Sequence, residues 1–316
     1  MSRAAAEPCP ERLGNPFWCY FLATRPAFLS ATLFGALLGF ATAWQAGATF
    51  DVGLASVTLL LALLAHAGVN VLNDYFDHLN GADDANIGRL FPYTGGSRFI
   101  QNGVLTPAQT RTFGLVLLLA VVLGGLWLIG QRGFALFWIG LAGLSIGWAY
   151  SAPPLKLNSR GLGEVCVAAG FLLVVGGADF VQRGGVDAAP WLIGLIYALM
   201  VTNILYLNQF PDRAADLWAG KRHWVARLAP ARAAYGYHAI LLLAMAGLVY
   251  LIMIGRLPIW GLIALLAGLP AVKAARELER FAARPYLLAP AIRATLVAAH
   301  LCAVLLALSL VLDKLT

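Results

Sequence analysis

The stretch NVLNDYFDHLNGADDANIGRLFPYTGGSR, residues 70–98, places four carboxylates directly after a long apolar run. They belong to Asp74, Asp77, Asp83 and Asp84. A helix that faces lipid cannot carry this density of charge, because an ionisable group at membrane depth is costly unless it faces a bundle interior or a wet cavity. The stretch is therefore predicted to be a functional site at the end of a membrane helix.

A polar stripe leads up to these carboxylates. His66, Asn70, Asn73 and Asp77 follow one another at steps of four, three and four residues. This spacing puts all four side chains on one face of a single helix. We expect the stripe to point into the bundle and to end in a metal-binding mouth.

The composition excludes a soluble globular protein. Of the 316 residues, 60% are hydrophobic and 12% are charged, whereas a soluble domain carries about 25% charged residues. A membrane span needs about 20 apolar residues. The sequence predicts an all-α polytopic membrane protein, one domain over 1–316, with residues 1–20 as a cytoplasmic N-terminal segment. The nine candidate spans are 22–44, 53–76, 108–130, 134–150, 162–182, 190–210, 232–254, 257–275 and 289–312.

Basic residues predict the orientation of these spans. With nine spans, 18 of the 22 Lys and Arg residues fall on the side of the N-terminus and 4 on the other. Because Lys and Arg accumulate on the cytoplasmic side, we expect a cytoplasmic N-terminus and a C-terminus on the opposite side of the inner membrane. The net charge of +7 then belongs to one membrane face, which argues against nucleic-acid binding.

A second polar cluster lies in NILYLNQFPDRAADLWAGKRHWVAR, residues 203–227. Asn208, Asp212 and Asp216 recur every four residues and so share one helix face. Like charges at this spacing repel each other, so a cation must hold them together. Lys221 and Arg222 can supply part of that charge, and a divalent metal ion the rest.

Two further features bear on the same membrane face. The stretch YSAPPLK, residues 150–156, contains two prolines that end a helix and place Lys156 beyond it. Tyr150 and Lys156 thus lie at the face of the aspartates, which favours a functional role over simple positive-inside bias. Gly140, Gly143 and Gly147 are spaced for close helix packing.

Together these features indicate a site for a magnesium-held diphosphate. Mg²⁺ binds hard oxygen ligands and bridges carboxylates to substrate phosphates, while Lys and Arg neutralise charge on a leaving group. An apolar bundle behind such a site indicates a substrate with a diphosphate head and a hydrocarbon tail.

These motifs resemble the UbiA superfamily of intramembrane aromatic prenyltransferases, from Arg25 to about Arg227. The stretches GGSRFIQNG, YSAPPLKLNSRGLGE and NQFPDRAADLWAGK look most like the branch that prenylates 1,4-dihydroxy-2-naphthoate in menaquinone biosynthesis. The resemblance implies nine transmembrane helices around a central cavity, an active site at the cytoplasmic face, Mg²⁺ as cofactor, and transfer of a polyprenyl group from a prenyl diphosphate to an aromatic acceptor.

The resemblance also implies roles for individual residues. Tyr150 would stabilise an allylic cation, and Asp77, Asp212 and Lys156 would act with it in catalysis. The expected metal ligands are Asp77, Asp83, Asp212, Asp216, Asn73 and Asn208. The expected diphosphate-binding residues are Arg89, Arg98, Lys156, Lys221, Arg222, Asn73 and Asn208.

The sequence departs from the family pattern at two places. Six residues separate Asp77 from Asp83 where many members space these acids by four, so either Asp83 or Asp84 is the ligand. His223 and Trp224 replace a small or aliphatic pair, and this difference affects the assignment of the acceptor. The alternatives are a sibling enzyme acting on 4-hydroxybenzoate, homogentisate, haem, chlorophyllide or a glycerol lipid, a transporter, or a CDP-alcohol phosphotransferase, whose glycine-interleaved aspartate pattern is absent here.

Overall fold

A computed structural model describes residues 6–316 of the chain; residues 1–5, with Arg3 and the start of the predicted N-terminal segment, lie outside it. The described part consists of helices and their connections, with no β-strand. This confirms the all-α prediction. The α-helices are α1 (Pro16–Ala23), α2 (Pro26–Gln45), α3 (Val52–Leu79), α4 (Ala82–Ala85), α5 (Pro107–Arg132), α6 (Ala135–Ser151), α7 (Gly163–Arg183), α8 (Ala188–Trp218), α9 (Trp224–Arg227), α10 (Pro230–Met253), α11 (Gly268–Phe281) and α12 (Ala289–Leu315).

Within residues 6–316, eight helices are long and apolar enough to cross a membrane. One of them joins a 3₁₀ segment, Ile259–Ala267, to α11 and runs over Ile259–Phe281. The predicted span 134–150 corresponds to α6, which is apolar but has only 17 residues. The polytopic fold is thus confirmed, and the count of nine crossings stays a prediction.

The long helices begin at residues that satisfy their first backbone N–H groups. The side chain of Asp51 accepts a hydrogen bond from the backbone N–H of Leu54 at the start of α3. Thr106 and Gln109 form a reciprocal capping box at the start of α5, and Asp187 caps α8. Such caps stabilise a helix by about 1 kcal/mol each. The capping residues therefore determine where these helices begin.

Glycine allows α2 and α7 to approach closely. A Cβ on Gly39 would lie 2.2 Å from the carbonyl oxygen of Val175, so no larger residue fits there. Tight packing of this kind holds membrane helices together, because lipid supplies no hydrophobic drive between them. In contrast, a Cβ on Gly140 or Gly143 would meet nothing within 4 Å. Our expectation of close packing at these two glycines is therefore wrong, since they line a cavity instead.

That cavity has a volume of about 630 Å³ and lies between α2, α3, α5, α6, α7 and α8. Apolar side chains make up most of its wall. Its polar lining includes Arg25, Asn73, Tyr150 and Asn208. These residues come from the end of the bundle that carries both aspartate clusters, so the cavity opens towards the predicted site.

The opposite end of the bundle is closed by other polar contacts. Gln182 accepts a hydrogen bond from the backbone N–H of Asp51 at 2.8 Å, and Gln45 donates one to Asp313 at 2.9 Å. The two ends therefore differ, and both aspartate clusters lie at the same one.

Candidate functional site

Lys221 joins the two aspartate clusters. Its Nζ lies 2.9 Å from Oδ1 of Asp77 in α3 and 3.0 Å from Oδ1 of Asp216 in α8. Lys221 is only 8% exposed, and burial by itself lowers the pKa of a lysine. Attraction to the two carboxylates outweighs this, so the pKa of Lys221 stands well above its usual value. The amine is therefore a fixed positive charge between the helices.

Asp77 and Asn73 contact each other as neighbours on one helix face. The Asn73 amide donates to Oδ2 of Asp77 at 3.2 Å, and the Asn80 amide donates to Oδ1 at 3.1 Å. His66, Asn70 and Asn73 all line the cavity. The steps of four, three and four residues thus predicted the polar stripe of α3 correctly, because α3 is regular through Leu79.

Asp212 is held by the loop that follows the first cluster. Its Oδ1 accepts a hydrogen bond from the Asn86 amide at 2.6 Å, and its Oδ2 accepts one from the backbone N–H of Gly95 at 3.4 Å. Pro211 lies inside α8 just before it. Asp77 of the first cluster is thus held by Lys221, which follows the second cluster, and Asp212 of the second cluster is held by the loop that follows the first.

His223 supports Asp216. Its Nε2 lies 3.0 Å from Oδ2 of Asp216, and its Nδ1 accepts a hydrogen bond from the backbone N–H of Ala226. The Trp224 indole donates to the carbonyl of Gly161 at 2.9 Å. His223 therefore contacts a carboxylate and Trp224 contacts the nearby loop. Neither side chain lines the large cavity.

Asp83 and Asp84 face different surroundings. Asp83 is 6% exposed, and its Oδ2 would lie 2.4 Å from a Cβ on Gly96. The side chain of Asp84 is 47% exposed and lies 3.0 Å from Nδ1 of His78. Of the two candidates, the geometry favours Asp83 as the one directed into the site.

Asp74 is a site residue that the sequence reasoning missed, since it falls off the polar stripe. Its Oδ2 accepts a hydrogen bond from the backbone N–H of Ser97 at 3.1 Å. Its Oδ1 would lie 3.1 Å from a Cβ on Gly96, beside Asp83. The dense charge of residues 74–84 and the Gly95–Gly96 pair were the signals available in the sequence.

Arg89 and Arg98 form a cationic pair around Glu7. The Arg89 Nε donates to Glu7 at 2.7 Å, and the Arg98 Nε lies 4.0 Å from the same carboxylate. Arg98 also donates to the backbone carbonyl of Asp83. Burial would raise the pKa of Glu7, but hydrogen bonds from Asn102 and Arg89 outweigh it and lower the pKa. The two arginines thus lie beside the acidic site and bind an anion.

Three basic residues have the left-handed backbone conformation. Arg25, Arg98 and Lys156 have φ values of 59°, 68° and 44°. This conformation is uncommon outside glycine and concentrates at functional sites. Arg25 donates to the carbonyl of Tyr93 at 3.3 Å, as does Asn208. These contacts tie the long loop to both α2 and α8.

The remaining predicted residues lie nearby but outside the charge cluster. Tyr150 lines the cavity. Within the described range, Lys156 and Arg222 form no ion pair, and the Arg222 side chain is exposed. The structure thus brings Lys221, Arg89 and Arg98 to the aspartates and leaves these two cations at the edge.

The acidic cluster carries uncompensated charge. Burial raises the pKa of Asp83 well above its usual range, repulsion from Asp77 and Asp74 raises it further, and Lys221 opposes them. Oδ1 of Asp74, Oδ2 of Asp83 and Oδ1 of Asn208 are buried without a hydrogen-bond partner within residues 6–316. Such oxygens suit a hard divalent cation such as Mg²⁺.

The carboxylates are not arranged as a finished metal site. In the part of the chain that the structure describes, no three acidic, histidine or cysteine side chains converge as ligands do. Lys221, Asn86 and His223 hold three of the four predicted aspartates in their present positions. The donor set fits Mg²⁺ chemically, and the ligand assignment stays a prediction.

Comparisons with known proteins identify a family and several relatives of this chain. Residues 32–285 match the model of the UbiA prenyltransferase family. A 1,4-dihydroxy-2-naphthoate octaprenyltransferase of Escherichia coli K12 is 32% identical over 278 residues, which cover 83% of this chain and 87% of the relative. The Haemophilus influenzae protein of the same name is 28% identical and covers 72% of this chain and 73% of the relative.

Solved structures show the same fold. A UbiA homologue from Aeropyrum pernix K1 superposes with a TM-score of 0.64 over 90% of this chain and 98% of its own, at 14% identity. A UbiA homologue from Archaeoglobus fulgidus bound to GPP and Mg²⁺ has a TM-score of 0.58, with 90% and 99% coverage and 15% identity.

The geometry around Gly96 yields a testable prediction for metal binding. Gly96→Ala would push a methyl group against Asp83 and Asp74, and we expect Mn²⁺ affinity to fall about tenfold or more, as for other disturbed ligand supports. Gly103→Ala is the matched control, because Gly103 also has a positive φ of 70° but would meet nothing within 4 Å. Calorimetric Mn²⁺ titration of both variants checks this. Equal affinities would contradict the assignment.

Proposed function

The chain belongs to the UbiA prenyltransferase family, and from this premise we propose that it transfers a polyprenyl group from a prenyl diphosphate to 1,4-dihydroxy-2-naphthoate in menaquinone biosynthesis. One observation carries the proposal: Lys221 unites the aspartates of α3 and α8 at the mouth of an apolar cavity. Relatives named as naphthoate octaprenyltransferases support the acceptor.

A sibling enzyme with another aromatic acceptor is the second candidate. The departure from the family pattern at His223 and Trp224 bears on this alternative, but His223 contacts a carboxylate and Trp224 contacts a loop. A transporter is disfavoured, because transporter sites lie near the membrane midplane, whereas both aspartate clusters here lie at one end of the bundle. The naphthoate remains the acceptor that the comparisons support best.

The residues expected to hold Mg²⁺ are Asp77, Asp83, Asp212 and Asp216, with Asn73 and Asn208 as neutral ligands. Bound Mg²⁺ would neutralise the diphosphate and the charge that develops on it as it leaves. The unpartnered oxygens of Asp83 and Asn208 support this assignment, and Asp74 joins the set on the same ground. Because Lys221 now bridges Asp77 and Asp216, we expect its amine to turn towards the diphosphate when the site is loaded.

The basic residues of the chain stabilise the leaving group. Arg89 and Arg98 already bind one carboxylate, Glu7, and their guanidinium groups suit phosphate oxygens equally well. Lys156 and Arg222 lie at the same end, and we propose that they approach the diphosphate from solvent. Fixed cations of this kind favour the state in which the C–O bond breaks.

The cavity holds the hydrocarbon tail and the reacting carbon. Its apolar wall excludes water, which would otherwise capture the allylic cation. The ring of Tyr150 lines this wall near the mouth, and an aromatic face attracts a cation. The electron-rich acceptor ring then attacks the cation, and in the naphthoate reaction its carboxylate is lost.

The proposed reaction predicts its product directly. Purified protein given a labelled prenyl diphosphate, Mg²⁺ and 1,4-dihydroxy-2-naphthoate should yield prenylated naphthoquinol, identified by mass spectrometry. 4-Hydroxybenzoate and homogentisate are the competing acceptors, and excess EDTA is the control. A preferred product from another acceptor would establish the sibling enzyme, and full turnover in EDTA would overturn the metal assignment.

The proposed single site for both aspartate clusters predicts non-additive mutations. Asp77→Asn and Asp212→Asn should each lower kcat by about a hundredfold or more, as loss of one charge-stabilising group does. The fall in kcat of the double variant should be much smaller than the two single falls combined, because the effects of residues that act as a unit are non-additive. Asp84→Asn is the matched control, since Asp84 pairs with His78 outside the cluster. Thermal melting in detergent checks the fold. Additive losses of kcat would show that the two clusters do not act as one site.

We further propose that residues 1–316 form one domain in the inner membrane, with a cytoplasmic N-terminus and site and the C-terminus opposite. The distribution of basic residues supports this orientation. The family match over 32–285 supports a single domain.

Cysteine labelling tests that orientation. Leu155 is 47% exposed beside the site and Val186 is 71% exposed at the far end. In a background without the four native cysteines, Val186→Cys should react with an impermeant maleimide in intact cells. Leu155→Cys should react only after the membrane is opened. The reverse pattern would move the active site to the other side of the membrane.

A further inference from the structure

A histidine lines the cavity away from the aspartates and has no part in the steps above. His66 lies on α3, seven residues before Asn73 on the same face. At the helical rise of 1.5 Å per residue, this is about 10 Å along the axis. The distance is comparable to the width of a bicyclic aromatic ring system. His66 is therefore placed to meet the far side of an acceptor that packs beneath the diphosphate.

One ring nitrogen of His66 is already engaged. Nδ1 lies 2.7 Å from the hydroxyl oxygen of Thr32 on α2, and the ring packs edge-on against Phe171 at 5.6 Å between centroids. Because the ring lines the cavity and Thr32 takes Nδ1, Nε2 is the nitrogen that a ligand can reach. The contact allows either atom to donate, and a hydrogen bond from a ligand to Nε2 requires the tautomer in which Nδ1–H donates to Thr32 and Nε2 presents a lone pair.

The hydrocarbon tail cannot satisfy that lone pair. A polar atom that faces apolar surroundings without a hydrogen-bond partner is unfavourable, and most of the surrounding wall is apolar. A ring hydroxyl on an aromatic acceptor supplies the missing donor. The acceptor class of the proposed reaction carries such hydroxyls.

We propose that His66 is a catalytic residue that binds a ring hydroxyl of the acceptor through Nε2 and takes its proton as the ring attacks. This inference rests on the proposed prenyl transfer. It adds an acceptor contact on α3 that is separate from the carboxylates and the basic residues.

The proton returns within one turnover. As the bond forms between the ring carbon and the first prenyl carbon, the C–O bond to the diphosphate breaks and the electron pair leaves with the diphosphate. The hydroxyl proton moves to Nε2, and the ring oxygen becomes a carbonyl. Loss of CO₂ from the attacked carbon restores the aromatic ring as a phenolate. The phenolate then takes the proton back from His66.

The chain contains a matched control for His66. His300 on α12 pairs in the same way with a hydroxyl of α2, since its Nε2 lies 2.8 Å from the Ser30 oxygen. Its ring also packs against a phenylalanine, Phe34, at 4.9 Å. Unlike His66, His300 is outside the cavity wall. Ser30 lines the cavity whereas the His300 ring does not, so His300→Phe removes a comparable histidine–hydroxyl contact without changing a ring in the cavity wall.

The experiment compares His66→Phe, His66→Gln and His300→Phe in the purified full chain. We expect His66→Phe to raise the acceptor KM and to lower kcat about a hundredfold, with an unchanged KM for the prenyl diphosphate. His66→Gln should recover the acceptor KM but not kcat, because an amide accepts a hydrogen bond and cannot take the proton. His300→Phe should keep wild-type kinetics. Thermal melting in detergent measures the structural cost of each change.

Substrate analogues provide a readout that does not depend on how well a variant folds. The two monomethyl ethers of 1,4-dihydroxy-2-naphthoate each remove one hydroxyl. One of them should react poorly with the wild type, and this penalty should vanish in His66→Phe, which has neither the hydrogen-bond acceptor nor the base, as coupling in a double-mutant cycle requires. An equal penalty in wild type and variants would overturn the role of His66 while leaving prenyl transfer standing. Absence of any prenylated product from the wild type would overturn both.

Discussion

The amine of Lys221 between Asp77 and Asp216 is the interaction on which the site depends. Both carboxylates come from ends of long helices, and the lysine comes from the turn after α8. Breaking a buried ion pair by removing one partner costs about 3–5 kcal/mol, because the other charge is left uncompensated. Asp212 is held in turn by Asn86 and Gly95 from the loop after α3. Each helix is thus held by the segment that follows the other.

This reciprocal arrangement explains how a reactive site can lie in an apolar bundle. The charged groups gather at one end, while α3 carries its polar stripe from Asp77 down to His66 along the cavity. The proposed substrate has a diphosphate head and a hydrocarbon tail, and the charged end of the bundle and the apolar cavity wall beside it would suit these two parts. His66 and Thr32 add a separate polar point to the cavity wall.

Two of the left-handed residues, Arg25 and Arg98, show how basic groups are held beside this site. Arg25, Arg98 and Lys156 each sit where the backbone turns sharply, and such conformations persist only when surrounding contacts support them. Arg98 gains that support from Asp83 and Glu7, and Arg25 from Tyr93. The loop between α3 and α5 is therefore part of the site, because its backbone also holds Asp74 and Asp212.

The sequence by itself determined the membrane class, the helical fold and the two aspartate faces, because hydropathy and the 3.6-residue period act within a single helix. It also placed His66, Asn70, Asn73 and Asp77 on one face. Only the tertiary structure decided that Lys221 bridges two clusters, that Asp74 joins Asp83 beside Gly96, and that Asp84 and Arg222 lie outside the charge cluster. The Lys221–Asp77 contact joins segments more than a hundred residues apart, and the other facts depend on the course of the loops; a local helical period encodes neither.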